Sequence, residues 1–197
     1  MPADTAAPAT RTSSASTRER ILDAASEQFY AHGIRATSAD RIIEQVGITK
    51  VTFYRHFRSK SDLVVAYLEQ QAAGERDWMQ SIRREDDPAG SLQALADGIG
   101  SASCRPGFRG CAFINAAAEF ADPADPVRTA VETHRRWVLD HFAAIAHVAG
   151  VEDSGSAAQQ LMMLRDGAMV SGYLGEASSV AASLGEAFAS VLALKGH

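Results

Sequence analysis

Thr49, Lys50, Thr52, Tyr54, Arg55 and His56 fall within one short stretch, GITKVTFYRHFRSK, between Gly47 and Lys60. Each side chain can donate a hydrogen bond, and Lys50 and Arg55 add positive charge. Such a set suits phosphate oxygens and base edges, and Val51 among them could meet a thymine methyl. At about 100° per residue on a helical wheel, Phe53 and Phe57 point together. Ile48, Ile42, Ile43 and Val46 can join them in a small core. The remaining arc carries Thr49, Val51, Thr52, Arg55 and His56, with Lys50 and Tyr54 at its edges. A solvated amphipathic helix with two buried phenylalanines is the competing reading.

A second group of polar residues interrupts apolar helical segments further on. Asn115 and Glu119 are four apart in CAFINAAAEF, His134 and His141 seven apart around Trp137, and Arg165-Asp166 split LMMLRDGAMV. Buried polar groups need partners, either each other or a ligand. Trp78, Phe113, Trp137, Met162 and Met169 are candidate walls of a pocket for a largely apolar small molecule. Met79, Ile82, Phe108, Phe120, Phe142, Met163 and Tyr173 are further apolar candidates. More than half of these positions are expected to be plain core. His134, His141 and Glu119 could meet around a metal, but no HxxxH or ExxH spacing supports one, so neither metal nor cofactor is expected.

The elements that must position these groups read as helices throughout. Ile21, Ala25 and Phe29 repeat every fourth residue from Thr17 onward, and His32-Gly33 is a stop. Ser38 can cap a short helix, ADRIIEQV, which Gly47 ends. Thr49 can cap KVTFYRHF, and Ser59 or Ser61 a longer helix towards Arg84. Pro88 and Pro126 each open a further helix, CRPGFRGC is a loop, and CAFINAAAEFA reads as a buried helix. Two helices, about 157–174 and 177–195, close the chain, with Val180, Leu184, Phe188 and Val191 on one stripe of the last. No repeat and no strand-like alternation is present, so the expected class is all-α.

The chain has 197 residues, 46% apolar and 22% charged, within the range of soluble globular proteins. No apolar run is long enough for a bilayer, and the first residues lack a signal-peptide core, so no membrane partner and a cytoplasmic location are expected. Residues 1–16 read as a disordered arm. The net charge of −5 conceals an asymmetry: residues 1–68 carry +2 and residues 69–197 carry −7. A mildly basic head on an acidic body focuses phosphate attraction at one end. Cys104 and Cys111 lack the spacing of a zinc site and read as structural or incidental thiols.

The segment RERILDAASEQFYAHGIRATSADRIIEQVGITKVTFYRHFRSKSDLVVAYL closely resembles the DNA-binding domain of TetR/AcrR-type repressors. The resemblance rests on ILDAA…F…G, Thr37-Ser38, the turn at Gly47, TFYRHF, and SK ahead of Leu63. It implies an N-terminal helix-turn-helix domain over 17–68 and a ligand-binding and dimerisation domain over 69–197, with about nine helices in all. It further implies a homodimer formed through the two C-terminal helices, operator DNA as one partner and a small-molecule effector as another. The matching DNA-contact positions are Thr37, Ser38, Thr49, Lys50, Val51, Thr52, Tyr54, Arg55, His56 and Lys60, with Ser38 a cap first. Ile43 stands where the family usually has Ala, and Val51 where Gly is common. A ligand-responsive repressor is therefore expected. The alternative is an all-helical enzyme or metal-binding protein with an incidental helix-turn-helix, for which no nucleophile–base pattern or ligand cluster stands out.

Overall fold

The computed structural model describes residues 15–193 with the exception of residue 176. Those residues form nine helices and no strand: α1 (Thr17–His32), α2 (Ala39–Val46), α3 (Lys50–His56), α4 (Lys60–Ile82), α5 (Pro88–Ser103), α6 (Ala112–Glu119), α7 (Pro126–Val148), α8 (Ser154–Leu174) and α9 (Ala177–Leu192). Of the expected N-terminal arm, residues 1–14 lie outside the described residues. Ser16 is already the N-cap of α1: its Oγ accepts from the Glu19 amide while Glu19 accepts from the Ser16 amide, a reciprocal capping box.

Polar caps set most of the helix starts. Ser38, Thr49, Ser59, Asp87, Asp125 and Asp153 each accept a backbone N–H of the first turn of the helix that follows. Asp153 explains why α8 begins at Ser154, three residues ahead of the expected start. Gly47 ends α2 in the left-handed conformation at φ 72°, which lets the chain turn directly into α3. Pro88 and Pro126 occupy first-turn positions, where a missing N–H costs nothing.

Two hydrophobic clusters organise the molecule. The first joins α1, α2 and α3 to α4, and continues into Cys111, Phe113 and Ala116 of the α6 region and Val127 and Val131 of α7. The packing of the N-terminal helices is thus continuous with the body across residue 68. Ile21, Ala25, Phe29, Phe53 and Phe57 are all buried there, as their spacing requires. The second cluster joins α5, α7, α8 and α9, with Phe142 and Phe188 edge to face at 6.0 Å. Helices α5 and α9 approach so closely that a Cβ added at Gly100 would stand 2.6 Å from that of Ala181. The stripe of Val180, Leu184, Phe188 and Val191 is spent on this internal core. Helix α6 is only half buried, with Phe113 and Ala116 inward, where its apolar composition predicts a buried helix.

Candidate nucleic-acid interface and adjoining cavities

Helix α3 presents its expected outer face. Phe53 and Phe57 anchor it inward, while Val51 is 79% exposed, Tyr54 49%, and Lys50 and Arg55 are exposed beside them. The Phe53 ring packs edge to face on Tyr54 at 5.2 Å, which links the core anchor to an outward side chain. Thr49 Oγ1 accepts from the Thr52 amide at 3.1 Å and lies 3.0 Å from Thr52 Oγ1. Lys50 Nζ lies 2.8 Å from Asp40 Oδ1 across the turn, and that carboxylate raises its pKa. Both partners are solvent-exposed, so the pair is weak and a phosphate can compete for the ammonium. His56 is half buried.

The remaining expected contacts divide. Ser38 is exposed; its Oγ accepts from the Arg41 amide at 3.2 Å, which leaves the hydroxyl proton free to donate elsewhere. Thr37 is wholly buried instead of exposed. Its hydroxyl lies 2.9 Å from Gly33 O and 3.3 Å from Gln28 O, tying the α1–α2 turn to the end of α1, so that side chain does not reach the surface. Lys60 reaches back to the Arg35 carbonyl at 3.5 Å, and burial lowers its pKa. Arg18 and Arg20 brace the head: Arg18 lies 5.0 Å over the Phe57 ring, and Arg20 donates to the Val46 carbonyl at 2.6 Å.

The body meets the head through polar contacts that the sequence does not announce. Their spacing makes Asn115 and Glu119 candidates either for a mutual polar network or for contact with a ligand. The Glu119 carboxylate accepts instead from the backbone amides of Ile34 and Arg35, at 2.9 and 2.6 Å, in the α1–α2 turn. Asn115 donates to the Arg109 carbonyl. Tyr30 Oη donates to the Gly110 carbonyl and accepts from the Arg109 amide, both at 2.9 Å, and the Arg109 guanidinium donates to Ala31 O. Two residues of the α5–α6 loop therefore grip the end of α1, and one of α6 holds the turn that follows it.

A buried ionic network spans α4, α7 and α8. Arg165, 2% exposed, pairs with Glu75 and with Asp166, and Arg135 holds the second Asp166 oxygen at 2.7 Å. The Arg165 guanidinium also contacts Cys111 Sγ. Burial alone would raise the Glu75 carboxyl, but Arg165, with His134, overrides it and holds it down at about 2. His134 Nε2 stands 3.2 Å from Glu75 Oε2 without the alignment of a linear hydrogen bond, and its ring stacks on Phe113 at 3.7 Å. Glu75 is not among the residues that the sequence singles out. A signal exists nonetheless: Leu68, Ala72, Glu75 and Met79 follow one helical stripe, so Glu75 occupies an inward position.

Two cavities flank the Phe113–His134 pair. One of about 660 Å³ lies between α4 and α7, with His134 in its wall. The other, about 310 Å³, lies beside the α5–α6 loop and is lined by Phe113, Arg165 and Met169 among others. The other expected pocket residues sit elsewhere. Met162 is buried in the second cluster, with Trp78 and Trp137 packed on it, and His141 is buried in a stack on Trp137 at 5.2 Å. Asp166 is consumed by its two arginines. Met163 and Tyr173 point to solvent, 65% and 48% exposed. The meeting of Glu119, His134 and His141 is ruled out by the engagement of Glu119 with Ile34 and Arg35. Among the described residues no group of three or more His, Cys, Asp or Glu is placed to hold a metal. Cys104 and Cys111 are free thiols, one exposed and one buried. No described helix is long and apolar enough to cross a membrane.

A short capped helix, a glycine turn and a second helix with an exposed donor face, all rooted in a helical body, define a helix-turn-helix regulator. Residues 21–67 match the family of bacterial regulatory proteins, tetR family. The crystal structure of SCO4454, a TetR-family transcriptional regulator from Streptomyces coelicolor, superposes with a TM-score of 0.85. The two are 41% identical over 89% of this chain and 94% of that one. HTH-type transcriptional regulator TtgR of Pseudomonas putida is 33% identical over 81 residues, 40% of this chain and 39% of TtgR. HTH-type transcriptional regulator LmrA of Bacillus subtilis is 30% identical over 130 residues, 61% of this chain and 66% of LmrA. The matched part thus spans well under half the length of TtgR. The chain belongs to the TetR family of transcriptional regulators, which are not enzymes.

Proposed function

We propose that this protein is a cytoplasmic, ligand-responsive repressor that binds a near-palindromic operator as a homodimer and is released by a small-molecule effector. The observation that carries the reading is the outer face of α3, where Val51, Tyr54 and Arg55 project from a helix pinned by Phe53 and Phe57. Two such helices in a symmetric dimer would enter successive major grooves, and their symmetry would be mirrored in the operator. Exposed apolar side chains on α8, Met163, Val170, Tyr173 and Leu174, support a dimer through α8 and α9. The groove between these helices, lined by Leu164, Ala168 and Ala187, would receive part of the partner.

Effector binding between α4 and α7 would favour a dimer whose α3 helices no longer match the operator spacing. The route from cavity to DNA is short. Helix α4 starts shortly after the α3 cap Phe57, and its Val65 and Leu68 belong both to the cavity wall and to the core beneath α3. Selection of bound duplexes from a random pool tests the reading, with the oligomeric state measured by sedimentation. A two-fold related consensus bound by a dimer supports it; an asymmetric site bound by a monomer contradicts it.

A further inference from the structure

We propose that the 660 Å³ cavity between α4 and α7 binds an elongated, largely apolar carboxylic acid, with Arg76 holding the carboxylate at one end. This rests on the reading of the chain as a ligand-responsive regulator and specifies the ligand's chemistry.

The cavity follows α4 from Val65 to Arg76, about 16 Å at about 1.5 Å per residue. Its apolar surface comes from Val65, Leu68 and Ala72 of α4 and Ala130 of α7. Leu68 and Ala72 are buried members of the first core cluster, so this surface is held in place. Pro126 shares a neighbouring cleft with Val65 and Glu69, whereas His134 meets Glu75. The two helices therefore run side by side in the same direction. Val65 and Pro126 mark the end of the cavity nearer the head, and Arg76 and Thr133 the end away from it.

Arg76 is the one arginine or lysine among the described residues that line the cavity. It is half-buried, and its guanidinium has neither an ion pair nor a hydrogen bond among the described residues. Its neighbour Glu75 does not neutralise it, because that carboxylate is taken by Arg165 and faces His134. Thr133, at the same end, directs its hydroxyl to the Thr129 carbonyl at 2.8 Å. An arginine keeps its charge in any protein setting, and its planar fork matches a carboxylate. A fork without a partner at the end of an apolar surface suits an acid whose hydrocarbon body keeps water from the ion pair.

The other end makes no matching demand. Glu69 lies about 10 Å from Arg76 along α4 and is exposed. It also lines the cleft that holds Arg18, Arg58 and Asp62, where two arginines offset two carboxylates. A ligand cation gains nothing there. In the smaller cavity the charged groups, Glu75 and Arg165, are committed to each other. The groove on α8 and α9 lies on the face assigned to the partner subunit.

The test uses the full chain and three probes with one rigid body and different heads: 4-biphenylcarboxylate, 4-biphenylmethanol and 4-biphenylmethylammonium. Calorimetric titration should show the carboxylate binding about tenfold or more tightly than the alcohol, and the ammonium no more tightly than the alcohol. Arg76→Met keeps the apolar stem and removes the fork. It should bring the carboxylate within about threefold of the alcohol while leaving the alcohol nearly unchanged. Ala130→Phe fills the cavity from α7 and should weaken both by about tenfold or more. Should one variant not fold, the wild-type order of the probes and the other variant decide. An alcohol or ammonium that binds as tightly as the carboxylate, a preference that survives Arg76→Met, binding unaffected by Ala130→Phe, or no binding of any probe by folded protein each overturns the proposal. A gel shift on the same preparations keeps the outcomes separate: DNA binding without preference for the acid sinks this assignment alone, and absence of DNA binding sinks the regulator reading.

Discussion

Glu119 of α6 accepts the backbone amide of Ile34 at 2.9 Å, fastening the larger helical body to the turn that launches α2. Its other oxygen takes the Arg35 amide. One carboxylate thus satisfies two backbone donors in the DNA-binding head, and charge-assisted bonds of this type are stronger than neutral ones. It sits where a movement of α6 would be felt by α2 and α3.

Replacing Glu119 by Ala is therefore expected to release both amides. Stability should fall by about 1–3 kcal/mol, and hydrogen exchange at Ile34 and Arg35 should accelerate while α9 amides keep their protection. Urea titration and exchange mass spectrometry measure the two effects. Unchanged exchange at the α1–α2 turn would show that the latch is not holding it.

Glu75→Leu is expected to destabilise by about 3–5 kcal/mol, because it strips Arg165 of its main buried partner. Removing both charges in Glu75→Leu/Arg165→Met should recover much of that loss, since apolar groups of similar volume can replace a buried pair. The double-mutant cycle would contradict this if the two losses simply added.

His141 gives a pH dependence of stability. Burial lowers its pKa from 6.5 to about 4, and nearby Arg83 adds to the effect. Above pH 6.5 the ring is neutral both folded and unfolded, and its contribution is complete. As pH falls below 6.5 the unfolded chain takes up the proton first, so stability declines until about pH 4. With allowance for solvent screening, the change attributable to His141 is roughly 1–2 kcal/mol. Denaturation of His141→Phe at about pH 7 and about pH 4.5 should show that part of the decline removed.

Phe53→Ala should cost about 3–5 kcal/mol, because it empties a fully buried site. Val51→Ala, at a position 79% exposed, should change stability by less than about 0.5 kcal/mol. Thermal melts of the pair separate the two faces of α3, and equal losses would refute their division.

Much of the fold is legible in the sequence because it is local. Caps at Ser38, Thr49 and Ser59 and the stop at Gly47 act within a few residues, so helix positions follow from short windows. The inward Phe53 and Phe57 follow from helical period alone. The departures arise from partners distant in the chain. Nothing near Glu119 signals Ile34 and Arg35, which lie 85 and 84 residues earlier. Thr37 resembles a surface contact until Gln28 and Gly33 are seen to hold its hydroxyl. His134 stands out as polar in an apolar helix, but Glu75, the carboxylate 3.2 Å from it, is visible only as one member of a stripe on another helix.

The central claim is that the outer face of α3 reads DNA. The direct measurement is the operator affinity of Tyr54→Ala/Arg55→Ala by gel shift at fixed salt, on an operator selected with the wild-type protein. The predicted result is a loss of about tenfold or more with the fold intact, since each lost contact costs about 1–3 kcal/mol. Retained affinity in the folded double variant would contradict the account.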